Sequence, residues 1–108
     1  MEQLEQIIFQ LISNSGSAKS SAFAAFEAIK NNDLDKARKL LQKASEEILA
    51  AHQAQTELIQ KEANGENIEL NILMVHAQDH LMTAMLAKEL IEKMIDMQIE
   101  INRLKEEI

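Results

Sequence analysis

The sequence predicts an all-α fold, an up-down-up antiparallel bundle of three long helices. One reason is composition: the 108 residues include no proline, three aromatic residues and 46% hydrophobic residues. The core must therefore consist largely of the helix-favouring residues Leu, Ile, Ala and Met. The other reason is that two short polar clusters interrupt the chain, and the short loops they form make neighbouring helices antiparallel. A chain of this length is expected to form one domain, residues 1–108.

The two polar clusters set the expected bounds of the helices. In the first cluster, residues 31–33, Asp33 can cap the next helix by accepting a hydrogen bond from a backbone N–H. In the second, residues 64–67, Gly65 suits the left-handed position after a helix, and Asn67 can cap the third helix. The expected helices span about 2–30, 33–63 and 68–107.

The first two helices carry distinct packing signals. The second has one narrow apolar seam with a 3.5-residue repeat, which is typical of lengthwise helix packing. The first has small or polar residues in its middle, and Gly16 there costs about 1 kcal/mol relative to alanine. Gly16 either allows another helix to approach closely or leaves room for a bulky group beside the helix. The seam of the second helix consists of Leu34, Ala37, Leu41, Ala44, Ile48, Ala51, Gln55 and Leu58.

The third helix is apolar on more than one face. From Leu70 to Ala87 it has a single formal charge, Asp79. A surface helix of a small bundle should instead have one apolar stripe and a charged back. A membrane span of this length is disfavoured by the polar residues within the stretch. We therefore expect this helix to lie at the centre of an oligomer.

Charge and composition exclude several functional classes. The net charge of −7 disfavours nucleic acid as a partner, because phosphate binding needs a basic surface. With no cysteine, disulfides, thiolate catalysis and zinc–sulfur sites are excluded, which fits a cytoplasmic protein. Glu2 and Glu5 ahead of a short apolar run are wrong for a signal peptide. We expect no targeting segment and no direct membrane insertion.

A pair of histidines lies within the apolar stretch of the third helix. His76 and His80 are four residues apart and therefore share one helix face. They could be hydrogen-bonded core residues, a zinc-binding pair, or a site in which a neutral imidazole acts as a nucleophile. Their spacing alone leaves these three alternatives open. On the second helix, His52 could join the site or be a solitary exposed histidine.

Asp79 lies in a row of residues along one side of the helix, at a position where a coiled coil would have leucine. The row consists of Ile72, Val75, Asp79, Met82 and Leu86. A carboxylate buried in an apolar seam costs several kcal/mol unless it is paired, protonated or bound to a metal. No lysine or arginine lies within three turns on that row. If the seam is an oligomer axis, the converging Asp79 carboxylates must share a hard cation or a proton.

The residues of this cluster match a known pattern. The run 75–83, Val-His-Ala-Gln-Asp-His-Leu-Met-Thr, resembles the signature of the lactose/cellobiose-type enzyme IIA of the bacterial phosphoenolpyruvate-dependent sugar phosphotransferase system. The similarity covers about residues 4–104, with the two short breaks in the same order. Two further stretches are similar to that family: Asn14-Ser15-Gly16 with Ala18 and Ser20, and Ala51-His52 with Gln55-Thr56.

The resemblance implies a homotrimer assembled through the third helix. In that family, the residue matching His76 accepts a phosphoryl group from HPr and hands it to a cysteine of the IIB component during uptake of a β-linked disaccharide. The residue matching Asp79 lies on the trimer axis and binds a divalent cation, expected to be Mg²⁺. The residue matching His80 borders the active histidine, and Gln78 is a further supporting candidate. Ala77 favours the cellobiose or diacetylchitobiose branch.

Two other functional classes remain as alternatives. The chain could be a non-catalytic helical oligomerisation module, in which His76 and Asp79 tune the geometry of the assembly. It could also be a metal-binding bundle that uses His76 and His80 as ligands. If the first helix passes near His76, the small residues around Gly16 would leave space for a phosphoryl group.

Overall fold

Three helices arranged up-down-up make up the fold, which confirms the predicted all-α bundle. The computed structural model describes residues 2–108 and extends over 62 × 21 × 17 Å. Within these residues, none of the helices has a stretch both long and apolar enough to cross a bilayer. The helices are α1 (Glu2–Lys30), α2 (Leu34–Ala63) and α3 (Ile72–Glu107).

The turn between α1 and α2 ends one helix and begins the next within three residues. Asn32 has a φ of 61°, a left-handed conformation that asparagine tolerates better than most residues. The backbone N–H groups of Asn32 and Asp33 donate to the carbonyls of Ile29 and Ala28 at 2.9 Å each, the pattern of a Schellman motif. Asp33 also caps α2, as predicted, by accepting from the Lys36 backbone N–H at 3.2 Å.

The turn after α2 repeats this motif with glycine. Gly65 has a φ of 90°, so the prediction of a left-handed glycine is confirmed. The next helix, however, begins later than predicted: α3 starts at Ile72 rather than near residue 68. Asn71, not Asn67, is the capping residue, because its side chain accepts from the Met74 backbone N–H at 2.9 Å.

The core lies along α1, which packs against both α2 and α3, whereas α2 and α3 contact each other much less. Alanine at Ala37, Ala44 and Ala51 of α2 is buried, which lets α1 and α2 approach closely along the predicted seam. Larger side chains fill the space near the two ends of the bundle. Leu11 and Leu81 are buried in one cluster, near the α3 N-terminus. The other cluster is near the turn between α1 and α2 and contains Ile29, Ile91 and Ile95.

Polar contacts between each pair of helices set their relative positions along the bundle axis, which we call their heights. The Asn102 side-chain amide donates to the Ile29 carbonyl at 2.9 Å, so a residue of α1 lies level with the residue about 73 positions later in α3. Between α2 and α3, the Gln55 amide donates to the Gln78 carbonyl oxygen at 2.6 Å. Between α1 and α2, Glu47 accepts hydrogen bonds from two serine hydroxyls, those of Ser17 and Ser21.

Gly16 is not a site of close helix packing within the chain. A Cβ placed there would meet no atom of another element within 4 Å. The explanation by close approach of a neighbouring helix is therefore wrong for the single chain. The register set by Asn102 also places Gly16 level with about Glu89, roughly 20 Å along the bundle from His76 at 1.5 Å per residue. Gly16 thus does not leave room beside His76.

Replacement of each glycine by alanine should have opposite effects on stability. Gly16→Ala should raise the free energy of unfolding by up to about 1 kcal/mol, because alanine favours the helix and has space for its methyl group. Gly65→Ala should lower it by about 1 kcal/mol, because its φ of 90° strains any residue with a Cβ. Urea unfolding followed by circular dichroism measures both. A loss of stability in Gly16→Ala would mean that another chain packs against this position.

Candidate functional site

One side of α3 is apolar and is not covered by the other two helices. Ile72, Val75, Met82 and Leu86 are each more than half exposed, although a leucine or isoleucine in a helix of a small bundle would normally face the core. We call this surface the apolar face of α3. It continues along the helix through Leu90, Met94, Met97, Ile101 and Leu104.

Asp79 lies at the centre of the N-terminal half of this face. At 100° per residue, Val75 and Met82 lie about 40° and 60° to one side of it. Asp79 is exposed in the single chain. Among residues 2–108, no side chain forms an ion pair with it. Its carboxylate is therefore the one formal charge in an otherwise apolar surface between Ile72 and Leu86.

His76 and His80 lie on the other side of Asp79, at about 60° and 100° from it. Their ring centroids are 4.4 Å apart, and the rings are nearly perpendicular, at 87°. His76 is exposed, whereas His80 is partly buried. The Thr83 hydroxyl donates to the backbone carbonyls of Asp79 and His80 at 2.9 and 3.2 Å, so it is held against the helix one turn beyond the pair.

The two ring nitrogens of His80 have different environments. Its Nδ1 is buried and has no hydrogen-bond partner among residues 2–108. A buried N–H without an acceptor is costly, so the tautomer with its proton on Nε2 is favoured. His80 therefore presents an N–H donor on the open side of its ring, while a neutral His76 beside it has a free lone pair.

The two histidines lie on the edge of the apolar face that borders α1. His76 and Met94 are 18 residues apart, as are His80 and Gln98, and 18 residues make about five turns. Each pair therefore points in the same direction from α3. Met94 and Gln98 line a groove together with Phe26 of α1, which identifies this edge as the α1 side.

Gln78 lies on the opposite edge, next to α2. It accepts the hydrogen bond from Gln55 described above, and its own amide contacts the Met74 sulfur at 3.7 Å. On the helix it is about 160° from His76, so within one chain it faces away from the imidazole. The seam of α2 includes Gln55, but its pairing with Gln78 depends on the relative heights of α2 and α3 and could not be predicted from the sequence.

Basic residues are scarce near the height of His76 and His80, although Lys61 at the end of α2 lies just beyond this section, beside Gln3 of α1. Residues 2–18 of α1, 44–60 of α2 and 70–87 around the start of α3 contain no lysine or arginine, although the chain has 11 basic residues. His52, His76 and His80, its three histidines, all lie in this section of the bundle. This distribution was visible in the sequence, but its meaning depended on the relative heights of the helices.

The His76–His80 pair lacks a third ligand in a single chain. Among residues 2–108, no group of three or more His, Cys, Asp or Glu side chains is placed to hold a metal ion. Tetrahedral zinc sites use three or four protein ligands. The metal-binding bundle based on this pair therefore has no support within the chain.

The comparisons with known proteins agree on one family. The sequence profile described as "PTS system, Lactose/Cellobiose specific IIA subunit" matches residues 6–98. The chain is 53% identical over 96 residues to the lichenan-specific phosphotransferase enzyme IIA component of Bacillus subtilis strain 168, and the match covers 89% of this chain and 87% of that protein.

Two solved structures are similar over nearly the whole chain. The crystal structure of the PTS cellobiose-specific enzyme IIA from Bacillus anthracis has a TM-score of 0.91 and 47% identity, and the match covers 95% of this chain and 94% of that one. The IIA(chitobiose)–HPr complex of the Escherichia coli phosphotransferase system has a TM-score of 0.80 and 37% identity over 92% of this chain and 96% of that one.

Proposed function

The chain belongs to the lactose/cellobiose-specific enzyme IIA family of the sugar phosphotransferase system, and we propose that His76 is the residue that carries its phosphoryl group. The protein is a phosphocarrier, which accepts a phosphoryl group from HPr and passes it to a IIB component for uptake of a specific sugar. The observation that supports His76 is its exposed imidazole beside the N–H donor of His80.

In the proposed transfer, a ring nitrogen of neutral His76 attacks phosphorus with its lone pair. The bond between phosphorus and its donor atom on HPr breaks, and HPr retains that electron pair. In the second transfer, the thiolate sulfur of the IIB cysteine attacks phosphorus, the bond between phosphorus and the His76 nitrogen breaks, and the imidazole keeps that electron pair. Such transfer depends on positioning and on stabilising charge rather than on elaborate covalent chemistry. His80, whose ring is 4.4 Å from that of His76, can donate to a phosphoryl oxygen.

We propose that the protein acts as a homotrimer. The apolar face of α3 extends about 60° to each side of Asp79, which is broader than the narrow seam that one partner helix would cover. Two further α3 helices around a three-fold axis would bury it. The acidic net charge of −7 leaves the outer surface suited to solvent and to basic partner proteins.

We propose that the protein works in the cytoplasm. We propose that the sugar it serves is a β-linked disaccharide of the cellobiose or diacetylchitobiose type.

A divalent cation at the trimer axis is the proposed partner of Asp79. Three copies of its carboxylate would meet at the axis, where their mutual repulsion needs compensation. Carboxylate oxygens are the ligands that Mg²⁺ prefers. Bound there, the cation would offset most of the charge of the three carboxylates and would link the subunits. Gln78, on the far side of the helix from His76, remains a candidate for a supporting role only from another subunit.

His76 and His80 should differ in labelling experiments. With phosphoenolpyruvate, enzyme I and HPr, the wild type should acquire one acid-labile, base-stable phosphoryl group per chain. His76→Ala should acquire none. His80→Ala should reach the same final amount but about 10²-fold more slowly, the usual effect of removing one donor to developing charge. Rapid-quench labelling measures both rate and amount, and label retained in His76→Ala would refute the assignment.

The trimer interface can be tested with two equally exposed leucines. Leu86 and Leu49 are both 57% exposed in the single chain, but Leu86 lies on the apolar face of α3 and Leu49 lies on α2. Leu86→Lys should yield monomers at micromolar concentration, because a buried unpaired charge is costly. Leu49→Lys should remain trimeric. Light scattering coupled to size-exclusion chromatography measures the mass, and a monomeric wild type would contradict the proposal.

Asp79 should be dispensable for assembly but required for the response to metal. Asp79→Leu replaces a costly buried carboxylate by apolar packing, so we expect it to stay trimeric with an unchanged or higher melting temperature. EDTA should lower the melting temperature of the wild type and leave that of Asp79→Leu unchanged. A wild type that responds neither to EDTA nor to added Mg²⁺ would rule out the cation.

A further inference from the structure

We propose that His52 of one subunit binds the phosphoryl group on His76 of the next subunit, an inference that rests on the proposed phosphocarrier trimer. The first observation is the charge distribution around His76. A phosphoryl group bears a negative charge of nearly two at neutral pH, yet the section formed by residues 2–18, 44–60 and 70–87 around it contains no lysine or arginine. Lys61 follows directly in α2, but it is nine residues from His52, on the opposite side of that helix, and lines a pocket with Gln3 and Leu4 of α1. Besides His76 and His80, His52 is the other side chain in this section that can carry a positive charge.

The second observation is the position of His52 around the bundle. Gln55 of α2 faces α3, since it bonds to Gln78. Ile59 lines the outer groove between these helices together with Gln78. His52 is seven residues, or about two turns, before Ile59 and therefore lies on the same strip of α2. Its side chain is exposed. His52 thus borders the apolar face of α3 on the α2 side, whereas His76 lies on the α1 side.

A three-fold axis brings these opposite edges together. When three copies of α3 surround an axis at Asp79, each subunit turns its α1-side edge toward the α2-side edge of its neighbour. In each contact, the edge with His76 and His80 of one subunit faces the α2-side edge of the next subunit, and His52 borders that second edge. Within one chain, the two edges are separated by the whole width of the apolar face.

The heights also agree. The bond between Gln55 and Gln78 places these residues at nearly the same height. Because α2 runs antiparallel to α3, His52 lies about one turn beyond Gln55, close to the height of His80. A three-fold rotation axis does not shift subunits along its own direction. The neighbour's His52 is therefore level with His80 and about one and a half turns from the height of His76, so its ring N–H can approach a phosphoryl oxygen from the side of His80.

The inference is tested with mixed trimers. We expect a His52→Ala homotrimer to accept phosphoryl groups from HPr at least about 10-fold more slowly than the wild type. Gln53→Ala, an exposed neighbour on α2, is the control and should be unaffected. Light scattering should give the same trimer mass for both variants. A wild-type rate in His52→Ala would overturn the proposal.

The decisive comparison co-expresses His52→Ala with an excess of one of two other variants, each in a separate experiment. Co-expression of His52→Ala with excess His76→Ala yields trimers in which the active His76 has neighbours that carry His52. Their rate per active site should return to the wild-type value. With excess His52→Ala/His76→Ala double variant, it should stay low. Rescue by neither partner would mean that His52 acts within its own chain, and rescue by both would mean that it binds no phosphoryl group. If wild type is never labelled, the phosphocarrier function fails instead.

Discussion

The third helix has more apolar surface than two sister helices can cover, and the other features of the molecule follow from this constraint. Its inner side packs on α1 through Leu81, Ile91 and Ile95, which are almost completely buried. Its outer side remains uncovered, with Val75 and Leu86 more than half exposed. Hydrophobic surface of this extent favours association. The histidines lie where the covered and uncovered sides meet, so the proposed chemistry and the proposed assembly share one helix.

Short turns and a few polar bonds convert this helix into a defined site. Two Schellman turns, built on Asn32 and Gly65, end α1 and α2, and the chain then reverses. The bonds of Gln55 to Gln78 and of Asn102 to the Ile29 carbonyl then set the heights of the helices. Apolar seams with a regular repeat permit several registers, whereas the partly buried amide pair of Gln55 and Gln78 is satisfied in one. The relative heights of the three histidines therefore depend on these polar contacts.

The sequence predicted the fold well because its signals are local. Asp33 and Gly65 act as expected, since capping and left-handed turns depend on a few neighbouring residues. The start of α3 was missed because Asn67 and Asn71 are equally good caps by type, and the choice depends on how residues between them cross the bundle. Gly16 was misjudged for a similar reason: what lies beside a residue depends on helix register, which composition and periodicity do not determine.

His76 lies on a continuous helix, with its ring exposed to solvent and in edge-to-face contact with the ring of His80. Nothing in residues 2–108 has to open before a visiting protein can reach it, and under the proposed assignment the same imidazole is loaded by one protein and unloaded by another. The donor and the acceptor of the phosphoryl group must therefore compete for one overlapping surface. Their order of binding is then governed by the relative abundance of their phosphorylated and free forms, so net flux can reverse when these ratios change.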